Sequence, residues 1–318
     1  MFSRRDLAWV GAAALATTLA AGAQAAEYPT KPVTMLVPYG AGGITDVMAR
    51  LTARHLEAEL GETIVVVNRT GASGTVGLTA TARERADGYT IAMVPSAPLI
   101  IQPHLRPVGY DLDAFDYICQ VFASPIVLTT AQDSPFEDLS DVLDEAKANP
   151  DALTYSSAGP GSLPHISMVR LLEDVGAKMR HVPMEGDAGA TTAVQGGHVD
   201  LAIVGGSSVV GKDLKTITIF DDEPMASVPG AKPARESGHD VTYVLWGGII
   251  APKGIPDEAR TRLTDACEAA ASSEDFAAEM REKASNAAFL PPEGFRAAVD
   301  ADSEANAKVI DALGMARR

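Results

Sequence analysis

Three loops of this sequence combine glycine with small hydroxyl residues, and each stands where a strand is followed by a helix. They span residues 39–45, 68–75 and 156–162. A strand-to-helix turn presents unpaired backbone N–H groups and the positive end of the helix dipole, and such a turn attracts anions. Glycine permits positive φ angles and lets a ligand approach the backbone closely. Glycines in one such loop are most simply explained by a tight turn, whereas three loops of this type favour ligand binding.

Two of these loops contain residues suited to the start of a helix. Thr45 and Ser162 stand at expected N-cap positions, and Asp46 falls in a first helical turn, where a negative charge suits the helix dipole. Thr45 also occupies the place of the third glycine in a dinucleotide-binding fingerprint, and the chain has no Gly-Lys-Ser/Thr sequence. The Gly-x-Ser-x-Gly pattern of a hydrolase nucleophile is incomplete as well. We therefore expect no nucleotide cofactor, and the indications of a hydrolase are weak.

His165 is the most suggestive of the six histidines for catalysis. The sequence supplies no residue to orient it, so a structural histidine is the simpler interpretation, and an exported enzyme that uses His165 with Ser162 or Asp46 is the alternative. Cys119 and Cys267 form no pair at zinc spacing, so we expect no metal site. An oxidising compartment would permit a disulfide between them, but two separately buried cysteines are the favoured interpretation.

The composition is that of an ordinary soluble protein. The chain has 318 residues, of which 46% are hydrophobic and 21% charged, enough for one large or two modest α/β domains. Its 26 basic and 42 acidic side chains give a formal charge of −16, which repels a phosphate backbone. Aromatic residues make up only 5% of the chain, too few for the stacking surfaces that bind RNA. We therefore expect no nucleic-acid partner.

Residues 1–25 have the three parts of an export signal. Arg4 and Arg5 give a basic start, an apolar stretch at about residues 7–22 follows, and small residues around Ala25 form a cleavage site. The apolar stretch is shorter than the roughly 20 residues that a membrane-spanning helix needs. The arginine pair favours the twin-arginine export route. We expect cleavage near Ala25 and a periplasmic location.

Beyond residue 28, short apolar runs alternate with longer amphipathic stretches, as in βα units around a mainly parallel sheet. A first block of three strands ends near residue 94. A second block begins with a strand at residues 126–130 and continues to about residue 204, and three helical segments follow residue 256. Two α/β lobes are the simplest interpretation. The predicted lobe 1 comprises residues 26–124 and 230–318, and the predicted lobe 2 comprises residues 125–229.

Eight short motifs follow one another along the chain in a characteristic order. Two of them are Val37-Pro38-Tyr39-Gly40-Ala41-Gly42-Gly43-x-x-Asp46 and Tyr155-Ser156-Ser157-Ala158-Gly159-x-Gly161-Ser162-x-x-His165. The other six begin at Tyr28, Val67, Ala86, His181, Gly196 and Trp246. With these motifs, the chain from residue 28 onward resembles the tripartite tricarboxylate transporter receptors, the Bug family of periplasmic solute-binding proteins.

The resemblance implies an α/β protein with the two-lobed, type II periplasmic-binding-protein (Venus-flytrap) fold, each lobe a mainly parallel sheet flanked by helices. It also implies a monomeric, non-enzymatic receptor without a cofactor, which holds a small mono- or dicarboxylate between its lobes. This receptor would deliver the organic anion to the integral membrane permease subunits of the transporter. The ligand contacts implied are Tyr39, Gly40, Ala41, Gly42, Gly43, Thr45, Asp46, Thr75, Ser96, Ser157, Ala158, Gly159, Gly161, Ser162, His165, Met184 and Gly205.

The sequence departs from the family's pattern near the expected cleft. Met184 and Glu185 stand where many relatives have Tyr-Lys, and Gly247 stands where many have Tyr. These changes predict a roomier and more neutral cleft. A side chain introduced at Gly42 or Gly161 is expected to fill the anion pocket. An exported enzyme on the same fold, and a receptor that presents its closed form to a membrane sensor kinase, are the alternative functions.

Overall fold

The computed structural model of the protein describes residues 28–316. The predicted export signal at residues 1–25 lies outside the described residues. Within residues 28–316, none of the helices has the length and apolar character required to cross a bilayer. The strands of this part of the chain hydrogen-bond into one curled sheet that continues through two lobes.

The helices and strands alternate along most of the chain, as the apolar patterning predicts. In chain order they are β1 (Val33–Val37), α1 (Ile44–Leu60), β2 (Ile64–Asn68), α2 (Thr75–Arg83), β3 (Thr90–Pro95), α3 (Ser96–Ile100), α4 (Gln102–Leu105), β4 (Phe115–Thr130), α5 (Leu139–Ala148), β5 (Thr154–Ser157), α6 (Leu163–Val175), β6 (Arg180–Pro183), α7 (Asp187–Gln195), β7 (Leu201–Gly205), β8 (Lys215–Ile219), β9 (Lys232–Pro233), β10 (Val244–Pro252), α8 (Asp257–Ala271), α9 (Glu274–Glu282), β11 (Asn286–Leu290) and α10 (Pro292–Ala312).

Each lobe contains three parallel strands. Their order is β2, β1, β3 in lobe 1 and β6, β5, β7 in lobe 2. Strands β1 and β7 are buried along almost their whole length, as expected for parallel strands that are covered on both faces. Helix α1 buries Met48, Leu51 and Leu56 on one face, and it ends at Gly61, whose φ of 73° suits a glycine. Parallel strands direct their carboxyl ends, and the loops that follow them, to one edge of the sheet.

Strand β4 runs through both lobes. Its first half pairs with β10 and β11, and its second half pairs with β7 and β8. Pro125 lies opposite Val244 of β10, whereas Ile126 lies opposite Gly205 of β7, so the partners change between these two residues. Proline has no N–H group to donate to a ladder and is tolerated where pairing is interrupted. The sequence predicts a strand only at residues 126–130, whereas the observed strand begins at Phe115.

The chain returns from lobe 2 to lobe 1 beside this point. The Tyr243 N–H donates to Phe220 O at 2.9 Å, and the Ile126 N–H donates to Tyr243 O at 3.0 Å. Strand β9 still pairs with β8 of lobe 2. The lobe boundary at residue 230 stays a prediction, and the pairing of β9 leads us to propose that the second crossing lies at residues 243–244 instead.

A disulfide joins Cys119 on β4 to Cys267 on α8. The two Cα atoms are 6.6 Å apart, although the cysteines are separated by 148 positions in the sequence. The favoured expectation of two separately buried cysteines is therefore wrong. Helix α8 packs against β4, and this packing brings the two residues together.

Candidate functional site

The N-termini of α1, α6 and α7 meet at one partly open cavity between the lobes. Helix α1 of lobe 1 begins after Gly43, whereas α6 and α7 of lobe 2 begin after Ser162 and Gly186. In this arrangement of the lobes the cavity leaves about 20 Å³ of space for a water-sized molecule. Its lining consists of Tyr39, Gly43, Ile44, Thr45, Pro95, Ala97, Ala158, Ser162, Leu163, Pro164, Asp187 and Leu245. The positive dipole ends of three helices therefore converge on a cavity whose described lining contains no Lys or Arg.

A wider groove, with about 360 Å³ of space for water-sized molecules, shares Tyr39 and Ala158 with this cavity and opens to solvent. Both lobes contribute to it. The groove is lined by Pro38, Tyr39, Thr70, Gly71, Ala72, Ser73, Gly74, Arg106, Ala158, Gly159, Pro160, Pro183, Met184 and Glu185. The first loop and the Ser/Gly loop, at residues 39–45 and 156–162, thus face each other across a shared gap.

The predicted ligand contacts divide into three groups. Those that line the cavity at the helix N-termini are Tyr39, Gly43, Thr45, Ala158 and Ser162. Gly159 and Met184 line only the wider groove. The remaining predicted contacts line neither space; they are Gly40, Ala41, Gly42, Asp46, Thr75, Ser96, Ser157, Gly161, His165 and Gly205. Ligand binding by any of these residues stays a prediction.

Asp46 holds the first loop in shape rather than facing the cavity. Its carboxylate accepts a hydrogen bond from Gly42 N–H at 2.9 Å and one from Asn68 Nδ2 at 2.9 Å, and it pairs with Arg50 at 2.9 Å. Burial opposes ionisation of Asp46, but Arg50 and the other two donors outweigh it and hold the pKa of this carboxyl below its usual value. Asn68 also donates to Tyr39 O at 2.9 Å, so this polar cluster fixes the backbone that faces lobe 2.

Two stacked imidazoles stabilise the Ser/Gly loop. The rings of His165 and His181 are 4.1 Å apart, Gly161 N–H donates to His165 Nδ1 at 3.0 Å, and the Ser157 hydroxyl lies 2.8 Å from His181 Nε2. Burial, and for His165 the neighbouring His181, lowers the pKa of each imidazole to about 4, so both rings are neutral at pH 7. Ser157 is fully buried. The sequence singles out His165 with Ser162, but Ser162 Oγ accepts only from the backbone N–H of His165, at 3.3 Å, and the imidazole of this loop that contacts a serine hydroxyl is that of His181.

The glycines singled out for substitution have different surroundings from those expected. A Cβ atom at Gly161 would strike Leu105 and lie 2.6 Å from Gln102 Nε2, and both of these residues belong to lobe 1. A side chain there would therefore obstruct the contact between the lobes rather than fill the cavity. Gly42 is exposed and has φ of 80°, so its substitution would strain the loop without reaching the lining. Neither glycine lines the cavity or the groove, and the expectation that a side chain at either position fills the anion pocket stays a prediction.

Asp187 is the acidic residue of the cavity, and it is not among the predicted ligand contacts. It stands in the first turn of α7, directly after Gly186, and only 4% of its surface is exposed. Burial raises the pKa of its carboxyl group to about 6, although hydrogen bonds from Gly205 N–H and the Ser208 hydroxyl oppose the shift. The cavity therefore holds an acidic group that the expectation of a more neutral cleft does not include. An acidic residue in the first turn of a predicted helix is the signal that could have identified it.

The walls of the cavity are largely apolar, and one buried hydroxyl lies behind them. Ser96 is fully buried between the lining residues Pro95 and Ala97, and its Oγ has no hydrogen-bond partner within residues 28–316. Buried polar atoms are nearly always hydrogen-bonded, so this hydroxyl is a candidate ligand contact. In the described part of the chain, no group of three or more His, Cys, Asp or Glu side chains is placed to hold a metal ion.

Comparisons with known proteins agree with this geometry. A family model described as "Tripartite tricarboxylate transporter family receptor" matches residues 48–314. The "UPF0065 protein in tcbD-tcbE intergenic region" of Pseudomonas sp. (strain P51) is 32% identical over 302 residues, which cover 91% of this chain and 88% of that protein. Similarity to solved structures is equally extensive.

Two solved structures illustrate the extent of this structural similarity. The periplasmic binding protein BugD is 28% identical, with a TM-score of 0.83 over 92% of this chain and 100% of that one. Rpa4515 of R. palustris with adipate is 25% identical, with a TM-score of 0.87 over 91% of this chain and 99% of that one. The two-lobed periplasmic-binding-protein fold expected from the sequence is thereby confirmed.

Proposed function

Because the chain belongs to the tripartite tricarboxylate transporter receptor family, we propose that it is a periplasmic receptor that captures a small organic carboxylate between its two lobes. It then delivers this ligand to the integral membrane permease subunits of the transporter. The protein acts as a monomer and catalyses no reaction on its ligand. The export signal at residues 1–25 and the periplasmic location form part of the same proposal.

The convergence of α1, α6 and α7 on one cavity carries this proposal. Each helix N-terminus offers about half a positive charge, although in α6 Pro164 has no N–H and the His165 N–H already donates to Ser162 Oγ, so the dipole is the main contribution of that helix. An anion can therefore bind without a basic side chain, and the described lining has none. The adjoining groove, which has about 360 Å³ of space for water-sized molecules and shares Tyr39 and Ala158 with the cavity, has the size of a small-molecule site. The structure of Rpa4515 with adipate supports a carboxylic acid as the ligand class.

A thermal-shift screen of the exported, purified protein against mono- and dicarboxylates tests this function. A carboxylate at about 100 times its Kd stabilises the native state by about 2.7 kcal/mol, which corresponds to roughly 5 °C in Tm. We expect at least one acid to produce such a shift and to be recovered chemically unchanged. A screen in which no acid raises Tm would contradict the proposal.

Substitution of Gly43 by leucine tests the position of the site. Gly43 has φ of −82°, and an added Cβ would make ordinary contacts of 3.6–3.7 Å with Gly40 O and with the backbone nitrogens of Asp187 and Ala188. The substitution causes no backbone strain, but the longer side chain occupies the space between the lobes. We expect Gly43→Leu to lose the ligand-induced shift in Tm. Gly294→Leu, at the start of α10, is the matched control and should keep it.

A further inference from the structure

The strand order of the sheet ends at β2 in lobe 1 and at β6 in lobe 2, and these two edge strands differ in sequence. Strand β6 contains Arg180 and Pro183, and charged residues and proline are the usual protection of a free edge against pairing with another chain. Strand β2 has the sequence Ile-Val-Val-Val-Asn, in which four β-branched residues follow one another without such protection. The edge formed by β2 is therefore suited to accept a further strand.

The pairing with β1 shows which backbone groups of β2 are free. Val33 N–H donates to Thr63 O at 2.9 Å, so in the parallel ladder the odd-numbered residues of β2 face β1 and the even-numbered residues face away from it. Ile64 N–H is occupied, because it donates to Glu57 Oε1 at 2.7 Å. The N–H and C=O groups of Val66 have no partner within residues 28–316. They can form a pair of hydrogen bonds with an added strand.

A surface groove lies beside this edge, between β2 and helix α1. It has about 400 Å³ of space for water-sized molecules, and Ile64 and Val66 line it together with residues of α1. Lys283, directly after α9, also lines the groove, and its side chain forms no ion pair or hydrogen bond in the described chain. The two arginines of the lining are already paired with acidic side chains. A strand added to β2 would place every second side chain in this groove, beside one unpaired cation.

The opposite face of β2 belongs to an exposed apolar patch with two unpaired arginines. Val65, Val67 and Val76 are three of the four large hydrophobic side chains exposed within residues 28–316. Val76 lines a surface depression with Arg69 and Arg83, and this lining contains one acidic residue. Neither arginine side chain forms an ion pair or a hydrogen bond in the part of the chain that the structure describes. Cations therefore flank the free edge on both faces of the sheet.

The charge distribution selects an acidic partner for this edge. Residues 28–90, which include β2 and α2, carry six basic and six acidic side chains, whereas residues 91–316 carry 16 basic and 34 acidic ones. Most of the surface therefore repels an acidic segment, while the unpaired side chains of Arg69, Arg83 and Lys283 attract it to β2. The position of the edge also fits a role in ligand transfer, because Thr70 and Gly71, directly after β2, line the wider groove between the lobes.

We propose that β2 is the docking site for the permease, and that an acidic, extended segment of a permease subunit joins the sheet there as an additional strand. Main-chain hydrogen bonds with Val66 contribute affinity, and contacts of acidic side chains with Arg69, Arg83 and Lys283 contribute specificity. The docked permease then lies beside the opening of the interlobe groove. This inference rests on the proposed function and names the surface through which the receptor meets its transporter.

Two variants test the backbone and the charge contributions separately. Val66→Pro removes the outward N–H group, and proline is tolerated at an edge position whose N–H does not pair within the sheet. Val66→Thr is its matched control, because threonine is β-branched, similar in size and keeps the N–H group. The double variant Arg69→Glu and Arg83→Glu reverses two exposed charges. Its control is Lys147→Glu and Lys178→Glu, which reverses two exposed and unpaired charges of lobe 2.

Surface plasmon resonance measures binding of the exported, purified receptor to the permease subunits in nanodiscs, with and without a ligand from the carboxylate screen. We expect Val66→Pro and the arginine double variant each to bind the permease at least about tenfold more weakly than the wild type. Val66→Thr and the lysine double variant should bind within about twofold of it. All variants should keep the ligand-induced shift in Tm, because none of the substituted residues lines the cavity at the helix N-termini.

Wild-type binding of the permease by Val66→Pro would overturn strand addition, and wild-type binding by the arginine double variant would overturn the choice of an acidic partner. If Val66→Pro does not fold, the arginine double variant and its lysine control decide whether β2 is the docking site. Equal binding to nanodiscs without permease would show that this surface contacts lipid, and would overturn the inference. A wild type that shows a ligand-induced shift in Tm but does not bind the permease overturns the inference and the delivery step, while ligand capture stands. Absence of any shift in Tm contradicts ligand capture itself, whatever the result for docking.

Discussion

Two aspartates in equivalent local positions have opposite electrostatic environments. Asp46 and Asp187 each stand in the first turn of a helix at the cleft, and each is almost fully buried. Arg50 and Asn68 surround Asp46 and hold its pKa below the usual value, whereas no cation within residues 28–316 pairs with Asp187 and burial raises its pKa to about 6. The residue type and its helical position are therefore not enough to predict the charge of the site, because the groups that pack against each carboxyl decide it.

The raised pKa of Asp187 predicts a difference in acid stability. The pKa of His165 and of His181 is lowered from 6.5 to about 4, so below about pH 6.5 the unfolded chain binds protons that the folded chain does not, and the free energy of unfolding falls. Asp187 acts in the opposite direction, since between about pH 6 and pH 4 only the folded state binds its proton. On acidification, we expect the free energy of unfolding of Asp187→Asn to fall further than that of the wild type, by on the order of 2 kcal/mol.

Urea unfolding between about pH 7 and pH 4.5 measures this difference. Asp116→Asn serves as the control. Burial raises the pKa of Asp116, but Lys253 and two backbone N–H groups outweigh it and hold the pKa below its usual value, so this residue titrates below the window. The profile of Asp116→Asn should therefore run parallel to that of the wild type. A parallel profile for Asp187→Asn would show that its carboxyl group is not perturbed by burial.

At the scale of secondary-structure elements, the disulfide links helix α8 covalently to the long strand β4. Cys119 and Cys267 are both buried, and neither lines the cavity. A cross-link stabilises mainly by restricting the unfolded chain, and a closed loop of 148 positions restricts it strongly. The double substitution Cys119→Ser and Cys267→Ser is expected to lower the free energy of unfolding by about 2–5 kcal/mol. Ligand affinity should stay at the wild-type value.

Equilibrium unfolding in urea, with and without a reducing agent, checks this prediction. Reduction should lower the stability of the wild type to that of the double-serine variant and leave the variant unchanged. Equal stability of the oxidised wild type and the variant would contradict the stabilising role of the bond.

At the scale of the whole molecule, lobe 1 contacts the Ser/Gly loop of lobe 2 through two neighbouring carbonyl groups. Pro160 O accepts hydrogen bonds from Ser73 Oγ, Gln102 Nε2 and Arg106 Nη2, at 2.8, 3.0 and 3.3 Å. Gln102 also donates to Gly161 O at 2.8 Å. These bonds stabilise the arrangement in which both loops face the cavity, so they contribute to the difference in free energy between the closed and open states.

Gln102→Leu is expected to weaken ligand binding although Gln102 does not line the cavity. Loss of its two hydrogen bonds lowers the population of the closed state, and the apparent affinity falls with that population, by about tenfold. Calorimetry with a ligand identified in the carboxylate screen measures the effect. Gln195→Leu, at an exposed position near the end of α7, is the control and should bind normally. Wild-type affinity in Gln102→Leu would show that these contacts do not stabilise closure.

The sequence by itself determines the local features of the site. The runs at residues 33–37, 64–68 and 154–157 are β-forming, and the glycine and hydroxyl residues that follow them terminate the strands and begin helices. Backbone conformation and the start of a helix depend on residues only a few positions away along the chain, so these features can be predicted from the sequence. The anion-binding character of the loops follows from the same local geometry, because helix N-termini expose unpaired N–H groups whatever the surrounding fold.

The tertiary structure alone decides which side chains share a space. It places Asp187 in the lining, pairs Cys119 with Cys267, brings Ser157 to His181 and directs Gly161 toward lobe 1. Each of these contacts joins elements whose packing is set by the whole hydrophobic core, and no periodicity or spacing within a short segment encodes it. The local patterns of the sequence therefore predict an anion-binding receptor, whereas the charge balance of the cavity depends on how distant elements pack.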